Sequence, residues 1–140
     1  MKRFLVLMLC ALFTSEARCE QFIEVGGYQA HYMILDTLSL DRQVAQAYGI
    51  VRAYDESILT ISILDADGAS VVAKITGSAT NLLGMVQTLS FNAIREGEAH
   101  YAIAAVKHTE EQMRFALHVQ MPNGRSHEVK FEQKLYPGIK

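Results

Sequence analysis

Apolar and polar residues alternate with a period of two along most of the chain, so the pattern predicts strands. Tyr28, Ala30, Tyr32 and Ile34 share one face of a strand over residues 28–36, and Gly26-Gly27 separates it from an earlier strand over residues 21–25. A single helix interrupts the pattern at residues 42–48. Asp41 is placed to cap it, Gly49 to end it, and Leu40, Val44 and Tyr48 lie on one side at spacings of four. From residue 57 onward the reading is almost all strand. Three loops, Ala66-Asp67-Gly68, Arg95-Glu96-Gly97 and Pro122-Asn123-Gly124, each end in glycine. A type I turn followed by a left-handed glycine fits all three.

Loop length fixes which residues face each other, because paired side chains must lie on one face. Three-residue loops place Ile61 against Ala73 and Ile63 against Val71. They also place Phe91 against Tyr101, Leu89 against Ile103, Phe115 against Phe131, and Leu117 against Val129. A polar link over residues 107–111 then sets Ile103 against Phe115. In the last strand Val129, Phe131 and Leu135 point inward, while Glu128, Lys130, Glu132 and Lys134 point outward. The pattern predicts an all-β fold, an immunoglobulin-like antiparallel β-sandwich of seven to eight strands with one short helix. It forms a single domain over residues 20–140.

Residues 75–94 contain no Asp, Glu, Lys, Arg or His, although 20% of the chain is charged. The run is predicted to pass through the interior. Its Thr, Ser, Asn and Gln side chains make it too polar to span a bilayer. At the other extreme, Lys2 and Arg3 precede an apolar stretch over residues 4–13, followed by small residues suited to cleavage after Ala17 or Cys19. This predicts a signal peptide over residues 1–19, with the Cys19 position preferred, and an exported protein.

Loss of the leader removes both cysteines, which excludes disulfides, thiol nucleophiles and thiolate metal sites. It also removes three basic residues and one acidic residue, leaving a net charge of about −4. With no basic block, nucleic acid and anionic membrane surfaces are poor partners.

The sequence has no nucleophile elbow, zinc-protease helix, phosphate loop or calcium loop. One constellation could carry chemistry. If the hairpins lie in one sheet, His100 faces His118 and His118 faces Glu128, a row able to hold zinc or copper, with Asn92 extending it. The plainer reading, a solvated face with a His–Glu contact, is preferred. His31, His108 and His127 show no ligand spacing and read as structural or surface residues.

A second candidate is Asn81, Leu82, Leu83, Gly84 and Met85, which could form an exposed apolar loop that docks a partner or a lipid tail. The preferred alternative is a crossing between sheets, with Leu82 and Leu83 tucked beneath it and Gly84 supplying an unusual backbone angle. Ala102 and Ala104, read as outward beside Ala116, would make a smooth stripe.

The segments Ala45-Gln46-Ala47-Tyr48-Gly49-Ile50, Gly77-Ser78-Ala79-Thr80-Asn81-Leu82-Leu83-Gly84, Leu89-Ser90-Phe91 and Arg95-Glu96-Gly97-Glu98-Ala99-His100-Tyr101 occur here in a specific order and spacing. With them the chain resembles the domain of unknown function 4426 (DUF4426) family of exported bacterial proteins, over nearly all of residues 20–140. The resemblance implies a small periplasmic β-sandwich of Gram-negative bacteria and brings no activity, cofactor or assigned site. The expectation is a non-enzymatic binding or scaffold module without a cofactor, meeting an unidentified periplasmic protein. The alternatives are a metal-binding protein or metal-dependent enzyme using His100, His118 and Glu128, and a structural subunit of an envelope assembly.

Overall fold

The computed structural model describes residues 21–139, so the predicted signal peptide and its cleavage site lie outside the described residues. Among the described residues, ten strands form two antiparallel sheets, more strands than the seven or eight predicted. In chain order they are β1 (Gln21–Val25), β2 (Tyr28–Asp36), β3 (Glu56–Leu64), β4 (Ser70–Val71), β5 (Lys74–Asn81), β6 (Val86–Leu89), β7 (Asn92–Glu96), β8 (Ala99–Lys107), β9 (Glu111–Gln120) and β10 (Ser126–Leu135). One sheet has the order β1-β2-β3-β8-β7, with β4 also paired to β3; the other is β10-β9-β5-β6. Between β2 and β3 lie a 3-10 turn (Thr37–Ser39) and the helix α1 (Arg42–Ala47).

The core lies between the sheets. Ala30 and Tyr32 of β2, Leu59, Ile61 and Ile63 of β3, and Ala102, Ala104 and Val106 of β8 meet Phe115, Leu117 and Val119 of β9 and Val129, Phe131 and Leu135 of β10. Three rings bridge the layers. Tyr32 stacks on Phe131 with centroids 3.9 Å apart, and Phe131 stacks on Phe115 at 4.8 Å. At the centre of the second sheet, Gly77 permits close approach: a Cβ there would sit 2.5 Å from the Ala116 carbonyl oxygen and 2.6 Å from Leu117 Cδ2.

Two predicted hairpins form in the predicted register. Ile63 faces Val71, although that ladder stops before the predicted Ile61–Ala73 pair. Phe115 faces Phe131 and Leu117 faces Val129, around a three-residue loop closed by Gly124 at φ +83°. The middle hairpin differs. Glu96 pairs with Ala99, so Gly97-Glu98 is a two-residue turn, and only Gly97, the first central residue, has a positive φ, +60°. That is the type II′ arrangement.

The shorter turn sets Tyr101 against Ile94 and Ile103 against Asn92, in place of Phe91 and Leu89. The phase of β8 is therefore the reverse of the prediction: Ala102 and Ala104 face the core, while Tyr101 and Ile103 face the outside of their sheet. The sequence Ala99-His100-Tyr101-Ala102-Ile103-Ala104-Ala105-Val106 is apolar on both faces, so alternation could not select one.

The link over residues 107–111 also departs from prediction. It crosses from one sheet to the other, so Ile103 never meets Phe115. A buried brace holds this crossing. The His108 amide donates to the Asp55 carbonyl at 2.9 Å, and the imidazole bonds Ser57 Oγ and the Thr109 carbonyl, both at 2.7 Å.

The helix matches its prediction to within one residue. The Asp41 carboxylate accepts from the Gln43 amide at 2.7 Å, and Gly49 follows at φ +67°. Only Ala45 of α1 is buried.

Candidate functional site

The uncharged run divides into two strands, a turn and the start of a third strand. β5 pairs with β6 through Thr80 and Val86, leaving Leu82-Leu83-Gly84 as a three-residue loop between Asn81 and Met85. The Asn81 amide donates to the Met85 carbonyl at 3.1 Å, the Gly84 amide donates to the Asn81 carbonyl at 3.1 Å, and Gly84 takes φ +80°.

The Asn81 side chain builds the turn from inside. It is 4% exposed, its Oδ1 accepts from the Leu83 amide at 3.1 Å and the Met85 amide at 3.0 Å, and its Nδ2 donates to Glu111 Oε2 at 3.3 Å. The loop after β3 has the same construction: Asp65 Oδ1 accepts from the Asp67 and Ala69 amides, both at 2.9 Å, and Gly68 takes φ +79°. An Asx residue, two variable positions and a left-handed glycine define both turns.

The two turns differ in what they display. Leu82 is 72% exposed, Leu83 85%, Met85 64% and Val86 65%. The preferred expectation that Leu82 and Leu83 tuck beneath a crossing is therefore overturned. They occupy the first two positions of a closed hairpin loop at the end of the sandwich, where no other element covers them. Burying such side chains would free about 1.5–3 kcal/mol each.

Loops at the opposite end are polar or small: Gly26-Gly27, Ala66-Asp67-Gly68, Gly97-Glu98 and Pro122-Asn123-Gly124. Electrostatics at the apolar end is mixed. Beside Glu111, Glu110 pairs with Lys134 at 3.2 Å, which raises the Lys134 pKa, and that ammonium lies 5.1 Å from the Tyr136 ring centroid.

The predicted metal row is not assembled as drawn. His118 does face Glu128, with Thr76 on its other side, in the second sheet. His100 belongs to the first sheet, where it faces Arg95 and its amide donates to Ser70 Oγ at 2.9 Å. The crossing at residues 107–111 separates them, and Asn92 also lies in the first sheet. Among the described residues, no group of three His, Cys, Asp or Glu side chains is placed to hold a metal.

His108 and His127 take structural positions. His108 bonds a backbone carbonyl rather than a carboxylate and is buried with Ser57, so this Ser–His pair presents no nucleophile to solvent. The His127 ring lies against Gly26, where a Cβ would come within 2.3 Å of it.

A feature absent from the sequence reading lies on the outer face of the first sheet. α1 stands over β8 and its neighbours and overhangs an open pocket of about 180 Å³. Ile58, Ile94, Tyr101 and Ile103 form its floor, Leu40, Val44 and Tyr48 its roof, and Glu96 its rim. The Tyr48 hydroxyl donates to Glu96 Oε1, which raises the phenol pKa. A broader trough of about 870 Å³ runs past Phe22, Met33 and Ser62, but no helix roofs it. The spacing of Leu40, Val44 and Tyr48 was the available signal for the pocket; the reversed phase of β8 concealed its floor.

Two antiparallel sheets packed face to face, a crossing braced by a buried histidine and one rigid apolar turn define a small β-sandwich protein. The chain belongs to the DUF4426 family, a domain of unknown function whose model matches residues 22–138. It is similar to a solved DUF4426 family protein from Pseudomonas aeruginosa, with 27% identity and a TM-score of 0.77 over 86% of this chain and 97% of that one. No curated protein matches the sequence.

Proposed function

We propose that the protein is a non-enzymatic binding or scaffold module of the periplasm and that Asn81, Leu82, Leu83, Gly84 and Met85 dock it to a protein partner. The reading rests on one observation: two leucines, 72% and 85% exposed, project from a turn already fixed by three side-chain hydrogen bonds of Asn81. A turn ordered in advance avoids the entropy cost of ordering a loop on binding, so less of the apolar contact energy is lost. The leader predicted over residues 1–19 supports export, and an immunoglobulin-like sandwich carries recognition at its loop ends. The charges at this end are mixed, Glu110 being paired with Lys134, so they give no net pull toward an anionic membrane. Among the described residues, no helix is long and apolar enough to cross a membrane.

Residues 20–140 contain no cysteine, so a Leu83→Cys variant carries one unique attachment point for a photocrosslinker. Irradiation in the periplasm is expected to give one dominant adduct, which the Leu82→Asp/Leu83→Asp variant does not compete away. The polar twin supplies the control, labelled through Asp67→Cys. Equal adduct patterns from both turns would reject docking through the leucines.

A further inference from the structure

The pocket beneath α1 is a second place where apolar surface is left incompletely covered. Val44 remains 43% exposed although it faces the sheet, because α1 stands off a floor of Ile58, Ile94 and Ile103. The floor is largely covered, Ile103 and Ile58 each being 7% exposed, and the helix carries its own cap at Asp41. The volume of about 180 Å³ suits a hydrocarbon of roughly six carbons.

The rim determines the polar end of a ligand. Glu96 is the only charged residue lining the pocket, and its carboxylate accepts the hydrogen bond from Tyr48. Among the described residues, no Lys, Arg or His contributes to the lining. At this exposed rim an anionic head group would meet a like charge, whereas a protonated amine would gain a counter-charge. The phenols of Tyr48 and Tyr101 line the same space and offer oxygen acceptors and ring faces to a cation.

From this geometry we infer that the pocket under α1 binds a small aliphatic amine, its chain on the isoleucine floor and its ammonium at Glu96. The site is separate from the apolar turn and does not depend on the docking reading. Binding brings the alkyl chain against Val44, and the ammonium joins the Tyr48–Glu96 hydrogen bond at the mouth.

The test is an NMR titration of the isotopically labelled protein at pH 7 with hexylamine, 1-hexanol and hexanoate. Hexylamine is expected to shift the amide signals of Val44, Ile94, Tyr101 and Ile103 in a saturable way, with Kd at least tenfold below that of hexanoate. Glu96→Gln should raise the hexylamine Kd about threefold, to the level of hexanol. Val44→Phe, which fills the pocket, should abolish all three titrations while the spectrum stays dispersed. If that variant does not fold, Glu96→Gln, at an exposed position, decides alone. The inference is overturned by the absence of saturable shifts up to 20 mM, by shifts away from α1 and β8, by equal binding of hexanoate, or by an unchanged Kd in Glu96→Gln.

Discussion

Replacing Asn81 tests whether the apolar turn is held rigid by its buried side chain. Asn81→Ala removes two acceptor bonds to the Leu83 and Met85 amides and one donor bond to Glu111. At about 0.5–1.5 kcal/mol per bond, with water replacing part of the loss at an exposed tip, stability should fall by about 1–3 kcal/mol. Asp65→Ala in the twin turn removes two such bonds and should cost about 1–2 kcal/mol.

Asn81→Asp is the sharper variant. It keeps the acceptor oxygen, as Asp65 does, but replaces the donor lying 3.3 Å from Glu111 Oε2 with a second carboxylate oxygen. The neighbouring charge raises the new carboxyl's folded pKa above its unfolded value. Its destabilisation should therefore be greatest at pH 7 and relieved as the pH falls through that raised value. Urea unfolding followed by far-ultraviolet circular dichroism at pH 7 and pH 4 reads both effects. If Asn81→Asp matches the parent protein at both pH values, Asn81 and Glu111 are not coupled and the account of the turn is wrong.

Other perturbations probe separate parts of the fold. Gly77→Ala, with its Cβ driven against the Ala116 carbonyl and Leu117, should cost about 1–3 kcal/mol, measured by the shift in urea midpoint. Phe131→Ala removes the middle ring of the three-ring stack and should cost about 3–5 kcal/mol in the same assay. The hydrogen bond to Glu96 raises the Tyr48 pKa, so protonated Tyr48 favours the fold below the ordinary phenol range, and that contribution is lost as the pH rises through the folded value. In phenolate absorbance titrations the Tyr48 contribution, taken as the difference from a Tyr48→Phe variant, should move to lower pH in Glu96→Gln.

Where only one face of a strand was apolar, the pattern predicted phase and pairing correctly. β10 alternates Val129, Lys130, Phe131, Glu132, so its register against β9 was legible residue by residue. β8 is apolar on both faces because it lies between the core and the space under α1, and there a two-residue turn replaced a three-residue one without contradicting any polarity signal. The uncharged run misled for a related reason. Lack of charge was read as burial, but Leu82 and Leu83 occupy a turn whose signature, Asn81 and Gly84 three positions apart, is independent of the apolar residues between them. The metal row depended on β8 and β9 being neighbours in one sheet, which the short link at residues 107–111 could not specify.

The repeated turn also separates framework from message. Asp65-Ala66-Asp67-Gly68-Ala69 and Asn81-Leu82-Leu83-Gly84-Met85 are five-residue cassettes with the same hydrogen-bonded frame, so their central pairs can be exchanged without altering chain length or strand register. Moving Leu-Leu to positions 66 and 67 would carry the greasy tip to the far pole of the molecule. An engineer could thereby reverse the sandwich's orientation toward whatever it meets while leaving its interior untouched.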